Sequence, residues 1–284
     1  MIAVIEQFGE LRGQVAQWKH DGLRVGFVPT MGNLHAGHHS LVRLAREHCD
    51  RVVASVFVNP TQFGPNEDYA RYPRTPEADT AGLDAAGCDL LWLPSVETMY
   101  PYGSEGAVRM RVPGITEVLD GAHRLGHFDG VATVVARLFN QVQPDVAAFG
   151  CKDYQQLAVI RYLVRDLAFP VELLAGETVR ETDGLALSSR NQYLSAAERA
   201  RAPEIHATLQ AMRAETLAGT AQVQVESHAS KRLAAAGFHV DYAVLRRPDL
   251  SEVDDSTTGP LVALIAARLG RTRLIDNLEF DHDG

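Results

Sequence analysis

Two histidines three residues apart, His35 and His38, are the residues whose type and spacing most clearly suggest chemistry. They lie in segment 28–42, VPTMGNLHAGHHSLV, which runs from a predicted strand into a helix that begins near Gly37. Residues at this spacing share one face of a helix, and the N–H groups and dipole at its N-terminus favour an anion. Two imidazoles beside it can donate hydrogen bonds to phosphate oxygens. The segment therefore predicts a phosphate site, where Gly32 and Gly37 allow close approach of the backbone.

Two other interpretations of these histidines stay open at this point. A single histidine near a turn is often exposed or bonded to a local carbonyl, although this is less persuasive for a pair at a strand-to-helix junction. Zinc is the second alternative, because His39 follows His38 directly. Residues 38 and 39 diverge on a helix, and no carboxylate or cysteine stands at ligand spacing, so the phosphate interpretation is preferred.

Two further polar segments follow predicted strands. Asn59 and Gln62, in VNPTQF, are neutral groups suited to hydrogen-bonding a hydroxyl and a carboxylate, although Asn-Pro is also a common turn. Lys152, in FGCKDYQQL, places a compact positive charge beside a helix start, as a polyphosphate requires. Asp153 is suited either to a ribose hydroxyl or to capping that helix.

A fourth polar segment, 183–191 (DGLALSSRN), lies where the pattern of the chain changes. Ser188, Ser189 and Arg190 offer two hydroxyls and a planar guanidinium, which suit phosphate oxygens. A plain linker is an equally good interpretation on these grounds alone.

The elements that must position these residues alternate between apolar runs and helical patterns. Helical periodicity is present around 41–48 and 131–142 and from about residue 154, whereas beyond residue 195 two helical segments, 196–217 and 222–236, precede strand-like runs. This order predicts an α/β fold, a Rossmann-like doubly wound parallel sheet (1–184) with a smaller C-terminal α+β domain (185–284). The strands expected in the sheet are 24–29, 51–59, 89–93, 145–149 and 171–175, and those in the smaller domain are 240–246, 261–267 and 272–277.

Composition restricts the partners that the chain is expected to have. Among its 284 residues, 36 acidic side chains outnumber 27 basic ones without a Lys/Arg block, which argues against nucleic acid. No apolar stretch is long enough for a membrane span, and no export signal is visible, so a cytoplasmic location is expected. Cys49, Cys88 and Cys151 are too few and too widely spaced for a disulfide framework or a zinc site.

Four motifs in order give the chain a family resemblance. PTMGNLHAGH at 29–38 resembles the HIGH-type signature of the nucleotidyltransferase superfamily, in the version found in pantothenate synthetases. NP-x-QF at 59–63, FG-x-KD-x-QQ at 149–156 and SSRN at 188–191 are similar to further motifs of that family. The resemblance spans essentially the whole chain, including RLIDN at 273–277. Cys151 departs from the usual Glu, and Leu125 departs from the usual Pro in GAHRLGHFDGV.

The resemblance assigns residues to ligands. It implies that His38 is the proton donor and that His35 and Lys152 are also catalytic. Arg124 and His127 are expected to touch substrate or a closing loop, and no protein ligand of a metal is assigned, although Glu77 and Asp79 lie where acidic residues flank the site in relatives. Asn59, Gln62 and Gln156 are expected to bind pantoate and β-alanine, and the residues expected to bind ATP are Met31, Gly32, His35, Gly37, His38, Gly150, Lys152, Asp153, Val179, Leu187, Ser188, Ser189 and Arg190.

The resemblance also implies an activity. It is the ATP-dependent condensation of (R)-pantoate with β-alanine, through a pantoyl adenylate, to give pantothenate, AMP and pyrophosphate. Mg²⁺ is expected with ATP, without a tightly bound organic cofactor, and the protein is expected to be a homodimer whose smaller domain closes over the site. The alternatives are another small nucleotidyltransferase, an RNA-binding fragment of a class I aminoacyl-tRNA synthetase, and a zinc-binding structural protein.

Overall fold

A computed structural model describes residues 2–65, 67 and 69–282 of the chain. The chain divides into two compact units. The first unit comprises Met1–Gly150 and Val159–Glu177, and the second comprises Cys151–Ala158 and Thr178–Gly284. The functional boundary expected between residues 184 and 185 stays a prediction.

The first unit contains a six-stranded sheet in which every neighbouring pair of strands is parallel. The strand order is β1-β4-β3-β2-β5-β6, which confirms the Rossmann-like doubly wound sheet. The central strands are mostly apolar and largely buried, as expected of a parallel sheet covered by helices on both faces. The strands are β1 (Ala3–Ile5), β2 (Val25–Thr30), β3 (Arg51–Val56), β4 (Leu90–Trp92), β5 (Val146–Gly150) and β6 (Glu172–Gly176).

The helices of this part of the chain bury the faces that their periodicity predicts. Leu41, Val42 and Ala45 form the buried face of the second helix, and the sixth helix is buried along almost its whole length. Helix α3 begins with Pro76 and ends at Ala86, and it is capped by Gly87, which adopts the left-handed conformation. The helices are α1 (Phe8–His20), α2 (Ala36–His48), α3 (Pro76–Ala86), α4 (Val96–Met99), α5 (Asp120–His123), α6 (His127–Val142) and α7 (Tyr154–Asp166).

The sheet has a switch point between β2 and β5. From β2 the chain continues outward through β3 and β4, whereas β5 and β6 extend the sheet on the other side of β2. Ligands of open parallel sheets bind in the crevice at such a point, outside the carboxyl ends of the strands. The loop that carries His35 begins directly after β2, so its position agrees with the rule.

In its described residues, the second unit contains the first part of α7, three further α-helices and a three-stranded antiparallel sheet, which confirms the expected α+β class. The helices α8 (Ala196–Arg201), α9 (Glu204–Leu217) and α10 (Gln222–Ala235) bury Ile205, Leu209, Met212, Val225 and Leu233 in one core with the sheet. The strands are β7 (His239–Arg246), β8 (Gly259–Leu269) and β9 (Thr272–His282), in the order β7-β8-β9.

Several expected elements have different bounds, and the strands expected over 261–267 and 272–277 are longer, at Gly259–Leu269 and Thr272–His282. The helix expected over 196–217 is interrupted, because Pro203 has no N–H for the helical ladder and α9 begins after it. The strand expected over 51–59 ends at Val56, since Asn59 caps a 3-10 turn, Pro60–Gln62. Within the described residues, none of the helices has the length and hydropathy that a membrane crossing requires.

Candidate active site

The predicted phosphate loop ends in a capping box built from two histidines. His35 is the N-cap of α2, and its Nδ1 accepts from the N–H of Gly37 at 3.2 Å. The Nδ1 of His38 accepts from the N–H of His35 at 3.3 Å, and the two ring centroids are 4.2 Å apart. A nitrogen that accepts carries no proton, so each neutral imidazole has its proton on Nε2. The local fold therefore gives both rings an Nε2–H donor at a helix N-terminus.

The loop between β2 and α2 is held by a buried carboxylate. Asp79, which is 2% exposed, accepts from the N–H groups of Asn33 and Leu34 at 3.0 and 2.8 Å and from the Thr75 hydroxyl at 3.1 Å. Gly32 adopts φ +86°, and a Cβ there would lie 3.0 Å from Asp79 Oδ2. These protein donors engage both oxygens of Asp79. The carboxylate supports the loop and is poorly placed to ligate a metal.

Asn59 organises the turn that carries Gln62. Its Nδ2 donates to Gln62 Oε1 at 3.1 Å and to the carbonyl of Gly130 at 3.2 Å. Its Oδ1 accepts from the Thr61 N–H and hydroxyl and, at 2.6 Å, from the Tyr100 hydroxyl. Asn59 is 1% exposed and Gln62 is 7% exposed. The contacts of Asn59 within the protein indicate that it acts by fixing Gln62.

Gly130 in α6 packs directly against this turn. A Cβ at Gly130 would lie 2.5 Å from the Thr61 carbonyl oxygen and 2.7 Å from Gln62 Cα, distances that no side chain tolerates. A Cβ at Gly13 in α1 would meet nothing within 4 Å, although Gly13 is also helical.

We expect Gly130→Ala to displace the turn and to lower the free energy of unfolding by ~1–3 kcal/mol, the usual cost of overpacking. Denaturant unfolding measures the change. Gly13→Ala is the matched control, which is expected to lose no stability. A Gly130→Ala protein as stable as the original would contradict the close packing of α6 against the turn.

Arg124 and His127 connect the same turn to the segment that follows it. His127 Nδ1–H donates to the carbonyl of Gln62 at 2.8 Å, and its Nε2 accepts from Arg124 at 2.9 Å. Burial, followed by the charge of Arg124, lowers the pKa of His127 to about 4, so the ring is neutral near pH 7. Arg124 also pairs with both oxygens of Glu67 at 2.8 and 2.7 Å. Burial opposes ionisation of Glu67, but these bonds outweigh it and hold its pKa below the ordinary value.

A cleft of about 330 Å³ adjoins the phosphate loop. Met31 and Gly32, both expected to bind ATP, form part of its wall, and Arg74 lies 5.8 Å from the ring centroid of Tyr69 at another part of it. The lining residues also include Val56, Phe57, Val58, Thr75, Pro76, Asp79, Pro94, Ser95 and Val96.

The position of the third histidine, His39, argues against the zinc interpretation. His39 faces α3, since its Nε2 would lie 2.5 Å from a Cβ built on Gly82. Burial, followed by the charge of Arg43, lowers its pKa. Over residues 2–65, 67 and 69–282, no three His, Cys, Asp or Glu side chains are grouped to hold a metal ion. The histidine pair thus stands without the third ligand that zinc would need.

Gly150 is the last residue of β5 in the first unit, and the second unit contains the other candidates on two segments. Lys152 lies in a 3-10 turn, Cys151–Asp153, and its Nζ is 3.3 Å from Asp153 Oδ1. Gln156, in the first turn of α7, is partly exposed, whereas the neighbouring Gln155 is buried.

The other segment is a hairpin followed by a capped 3-10 helix. The N–H of Leu187 donates to the carbonyl of Val179 at 2.9 Å. Ser188 then caps the 3-10 helix Ser189–Tyr193, because its Oγ accepts from the N–H of Arg190 at 3.2 Å. The residues of the hairpin and of the cap that are expected to bind ATP therefore follow one another in one continuous segment of the chain.

The contacts by which Asp79 and Glu67 support the site have no local sequence signal. Asp79 binds N–H groups 45 and 46 residues away, and Glu67 pairs with a residue 57 positions later. The motif GAHRLGHFDGV drew attention to Arg124 and His127, but only the folded structure shows the residues that these two contact.

These observations first define a class. A parallel, doubly wound sheet with a histidine-capped loop after the strand at its switch point is a Rossmann-like α/β protein of the kind that binds nucleotides at that edge.

Comparison with known proteins then defines the family. The pantoate-beta-alanine ligase model matches residues 3–279. Pantothenate synthetase of Xanthomonas euvesicatoria pv. vesicatoria (strain 85-10) is 67% identical over 280 residues, covering 99% of this chain and 100% of that protein. The crystal structure of pantothenate synthetase from Thermus thermophilus is similar with a TM-score of 0.91 and 50% identity, covering 98% and 99% of the two chains. The chain belongs to the pantoate-beta-alanine ligase family.

A further solved relative contains ligands. The crystal structure of pantoate-beta-alanine ligase from Francisella tularensis, complexed with β-γ ATP and β-alanine, is similar with a TM-score of 0.82 at 30% identity. The match covers 98% of this chain and 97% of that one.

Proposed function

We propose that this chain condenses (R)-pantoate with β-alanine, using ATP, to give pantothenate, AMP and pyrophosphate through a pantoyl adenylate. The observation that carries the proposal is the double histidine cap after β2, which aims two Nε2–H donors from a helix N-terminus in a member of this family. The ligands of the Francisella tularensis relative support ATP and β-alanine as substrates.

In the first step, a carboxylate oxygen of pantoate attacks the α-phosphorus of ATP. The bond from this phosphorus to the bridging oxygen breaks, and pyrophosphate leaves. Pantoate is ionised near pH 7, so the step needs charge stabilisation and alignment and no general base. We assign the stabilisation of the α-phosphate to Nε2–H of His35 and His38, while Lys152 and the stretch 188–190 bind the β- and γ-phosphates.

In the second step, the neutral amine of β-alanine attacks the acyl carbon of the adenylate. The carbon–oxygen bond to AMP breaks, AMP leaves with that oxygen, and the amine loses a proton to solvent or a phosphate oxygen. Holding the amine against the acyl carbon supplies much of the rate by converting a bimolecular reaction into an intramolecular one.

Mg²⁺ is proposed to arrive with ATP. Its contribution is neutralisation of polyphosphate charge as pyrophosphate departs. Both oxygens of Asp79 are engaged by protein donors, so we assign the ion mainly to phosphate oxygens.

Pantoate recognition is assigned to Gln62 and Gln156, with Asn59 acting through Gln62. An amide supplies both a donor for the carboxylate and an acceptor for a hydroxyl without burying a second charge. The buried, fixed orientation of Gln62 supports this role.

We expect Gln156→Ala to raise the KM for pantoate about tenfold or more with the KM for ATP little changed, because a lost hydrogen bond to a charged ligand costs ~1.5–3 kcal/mol. Initial rates at varied pantoate and saturating ATP measure the effect. Gln210→Ala, an exposed glutamine of α9, is the control with unchanged kinetics. An equal loss for both substrates would argue against the assignment.

A homodimer in the cytoplasm is proposed as the working state. Tyr102 and Val108 of the first unit are 87% and 72% exposed, apolar surface that a second copy would cover. Free thiols at Cys49, Cys88 and Cys151 agree with a reducing compartment. Light scattering of the purified protein at micromolar concentration tests the dimer.

Pyrophosphate release tests the proposed activity and separates it from its alternatives. When pantoate, ATP and β-alanine are all present, we expect pyrophosphate and AMP to be released in equal amounts. When any one of the three is left out, we do not expect this equal release. A transferase for a phosphorylated acceptor would release pyrophosphate without β-alanine dependence and would form no AMP. Related hydroxy acids in place of pantoate define the specificity.

A further inference from the structure

The turn that carries Lys152 is fixed by a side chain from the last strand of the second unit. Asn277 in β9 is 7% exposed, and its Nδ2 donates to the carbonyl of Cys151 at 2.9 Å and to that of Lys152 at 3.0 Å. One amide nitrogen thus uses both of its protons on successive carbonyls of the turn. Its removal would leave these carbonyls without that donor.

The residue before Asn277 belongs to a buried ion pair. Asp276, whose side chain is 3% exposed, accepts from both terminal nitrogens of Arg180 at 2.6 and 2.9 Å. Arg180 also donates to the carbonyl of Gly184 at 3.1 Å. The first arm and the turn of the hairpin that contains Val179 and Leu187 are therefore connected to this pair.

Asp276 and Asn277 are joined through the backbone as well. The N–H of Asn277 donates to Asp276 Oδ1 at 2.9 Å, and the carbonyl of Asn277 accepts from Arg180 at 3.4 Å. The backbone of Asn277 is held from both sides, so its amide is presented to the turn in one orientation. The two adjacent residues connect the Lys152 turn to the 179–187 hairpin.

We propose that Asn277 is a positioning residue of the nucleotide site, with the Arg180–Asp276 pair holding it in place. Asn277 fixes the backbone of the 151–153 turn and thereby the position from which the Lys152 side chain extends. The ion pair fixes the 179–187 hairpin. This inference rests on the proposed role of Lys152 in binding ATP. Asn277 itself does not touch the reacting atoms; it acts through the two segments that bind the polyphosphate.

A second buried carboxylate in the same sheet provides a comparison. Asp241, with a side chain 6% exposed, pairs with Arg273 at 2.7 Å and with Arg268 at 3.7 Å. These partners lie within the sheet, on β8 and β9. Asp241 therefore resembles Asp276 in burial and charge, and its ion pairs with Arg268 and Arg273 do not reach the Lys152 turn.

The test is kinetic, with Asn277→Asp and Asn277→Ala as the main variants. Aspartate has nearly the shape of asparagine but presents acceptor oxygens to two carbonyls, whereas alanine only removes the donor. We expect both to raise the KM for ATP about tenfold or more while the KM for pantoate stays within about twofold, because the partly buried carbonyls of the turn lose their donor. Asp241→Asn, the matched control, is expected to lower thermal stability with both KM values unchanged.

Stabilisation by a nucleotide gives a second readout for any variant that folds poorly. The non-hydrolysable β,γ-analogue of ATP raises the melting temperature of a protein that binds it. We expect this shift to be reduced in both Asn277 variants, and retained in Asp241→Asn.

The Lys152→Ala variant distinguishes a failure of the positioning role of Asn277 from a failure of the proposed role of Lys152 in binding ATP. If Lys152→Ala weakens ATP binding but both Asn277 variants bind ATP normally, the positioning role is wrong and the assigned site stands. If Lys152→Ala binds ATP normally, the proposed role of Lys152 is wrong and the inference about Asn277 fails with it. Equal losses for ATP and pantoate in the Asn277 variants would indicate a general structural role and would also overturn the inference.

Discussion

Replacing His38 with alanine is expected to slow pantoyl adenylate formation by about 10²–10³-fold, the usual effect of removing one preorganised donor from developing negative charge. The cause is the loss of an Nε2–H that the capping geometry directs outward from the cap. Helix stability should fall only slightly, since a lost cap costs ~0.5–2 kcal/mol. Single-turnover adenylate formation, measured by quenched flow, reports the step directly.

Two further substitutions at this position separate capping from catalysis. His38→Asn can place an oxygen near the position of Nδ1, keeping the cap and removing Nε2. His38→Gln can place a donor near Nε2. We expect the asparagine variant to be stable and slow, and the glutamine variant to recover part of the rate. His48→Ala, at the exposed C-terminal end of the same helix, is the control with a normal rate. Normal turnover in a folded His38→Ala enzyme would refute the assignment.

Replacing Lys152 with alanine is expected to lower kcat/KM for ATP by about 10²-fold or more, because truncating one partner of a close charge pair costs ~2–5 kcal/mol. Its ammonium lies at a turn before α7, and in this structure it pairs with Asp153 at 3.3 Å. Binding of the polyphosphate is expected to replace that weak pair.

Arginine should restore only part of the loss, because its planar fork does not reproduce a compact ammonium. Titration calorimetry with the β,γ-analogue of ATP separates binding from chemistry. Lys231→Ala, an exposed lysine of α10, controls for a general change in charge. Unchanged affinity for the analogue in Lys152→Ala would remove Lys152 from the nucleotide site.

Much of the fold followed from local patterns because the central parallel strands are largely buried on both faces. Runs such as RVGFVP and RVVASVFVN contain few polar residues, which is typical of central strands in such sheets. Strand β1 was not predicted, because it has only three residues at the edge of the sheet and none is fully buried. Its pairing with β4 depends on contacts that local periodicity does not encode.

The candidate site was predictable where one residue type has a direct chemical use. His35, His38 and Lys152 could be proposed from charge, donor type and their position before a helix. The tautomer of the two histidines could not, since it depends on the backbone N–H groups that each Nδ1 accepts from. Specificity for pantoate was suggested by family resemblance, because a neutral amide such as Gln62 suits many ligands.

The supporting contacts were beyond local sequence reasoning for a physical reason. Asp79, Glu67 and Asn277 each bind residues at least 45 positions away, so their partners become neighbours only after folding. Asn277 was visible only as part of RLIDN, a motif with no chemical feature of its own. Such residues are recognisable once burial and hydrogen bonds are known.

Transfer of oxygen from pantoate to AMP tests the central claim most directly. Pantoate labelled with ¹⁸O in its carboxylate is incubated with ATP, β-alanine and the enzyme, and the products are analysed by mass spectrometry. A pantoyl adenylate predicts one ¹⁸O in the phosphate of AMP and unlabelled pyrophosphate, because the attacking oxygen stays on the α-phosphorus. Unlabelled AMP, or ADP with labelled inorganic phosphate, would show attack elsewhere and would contradict the account.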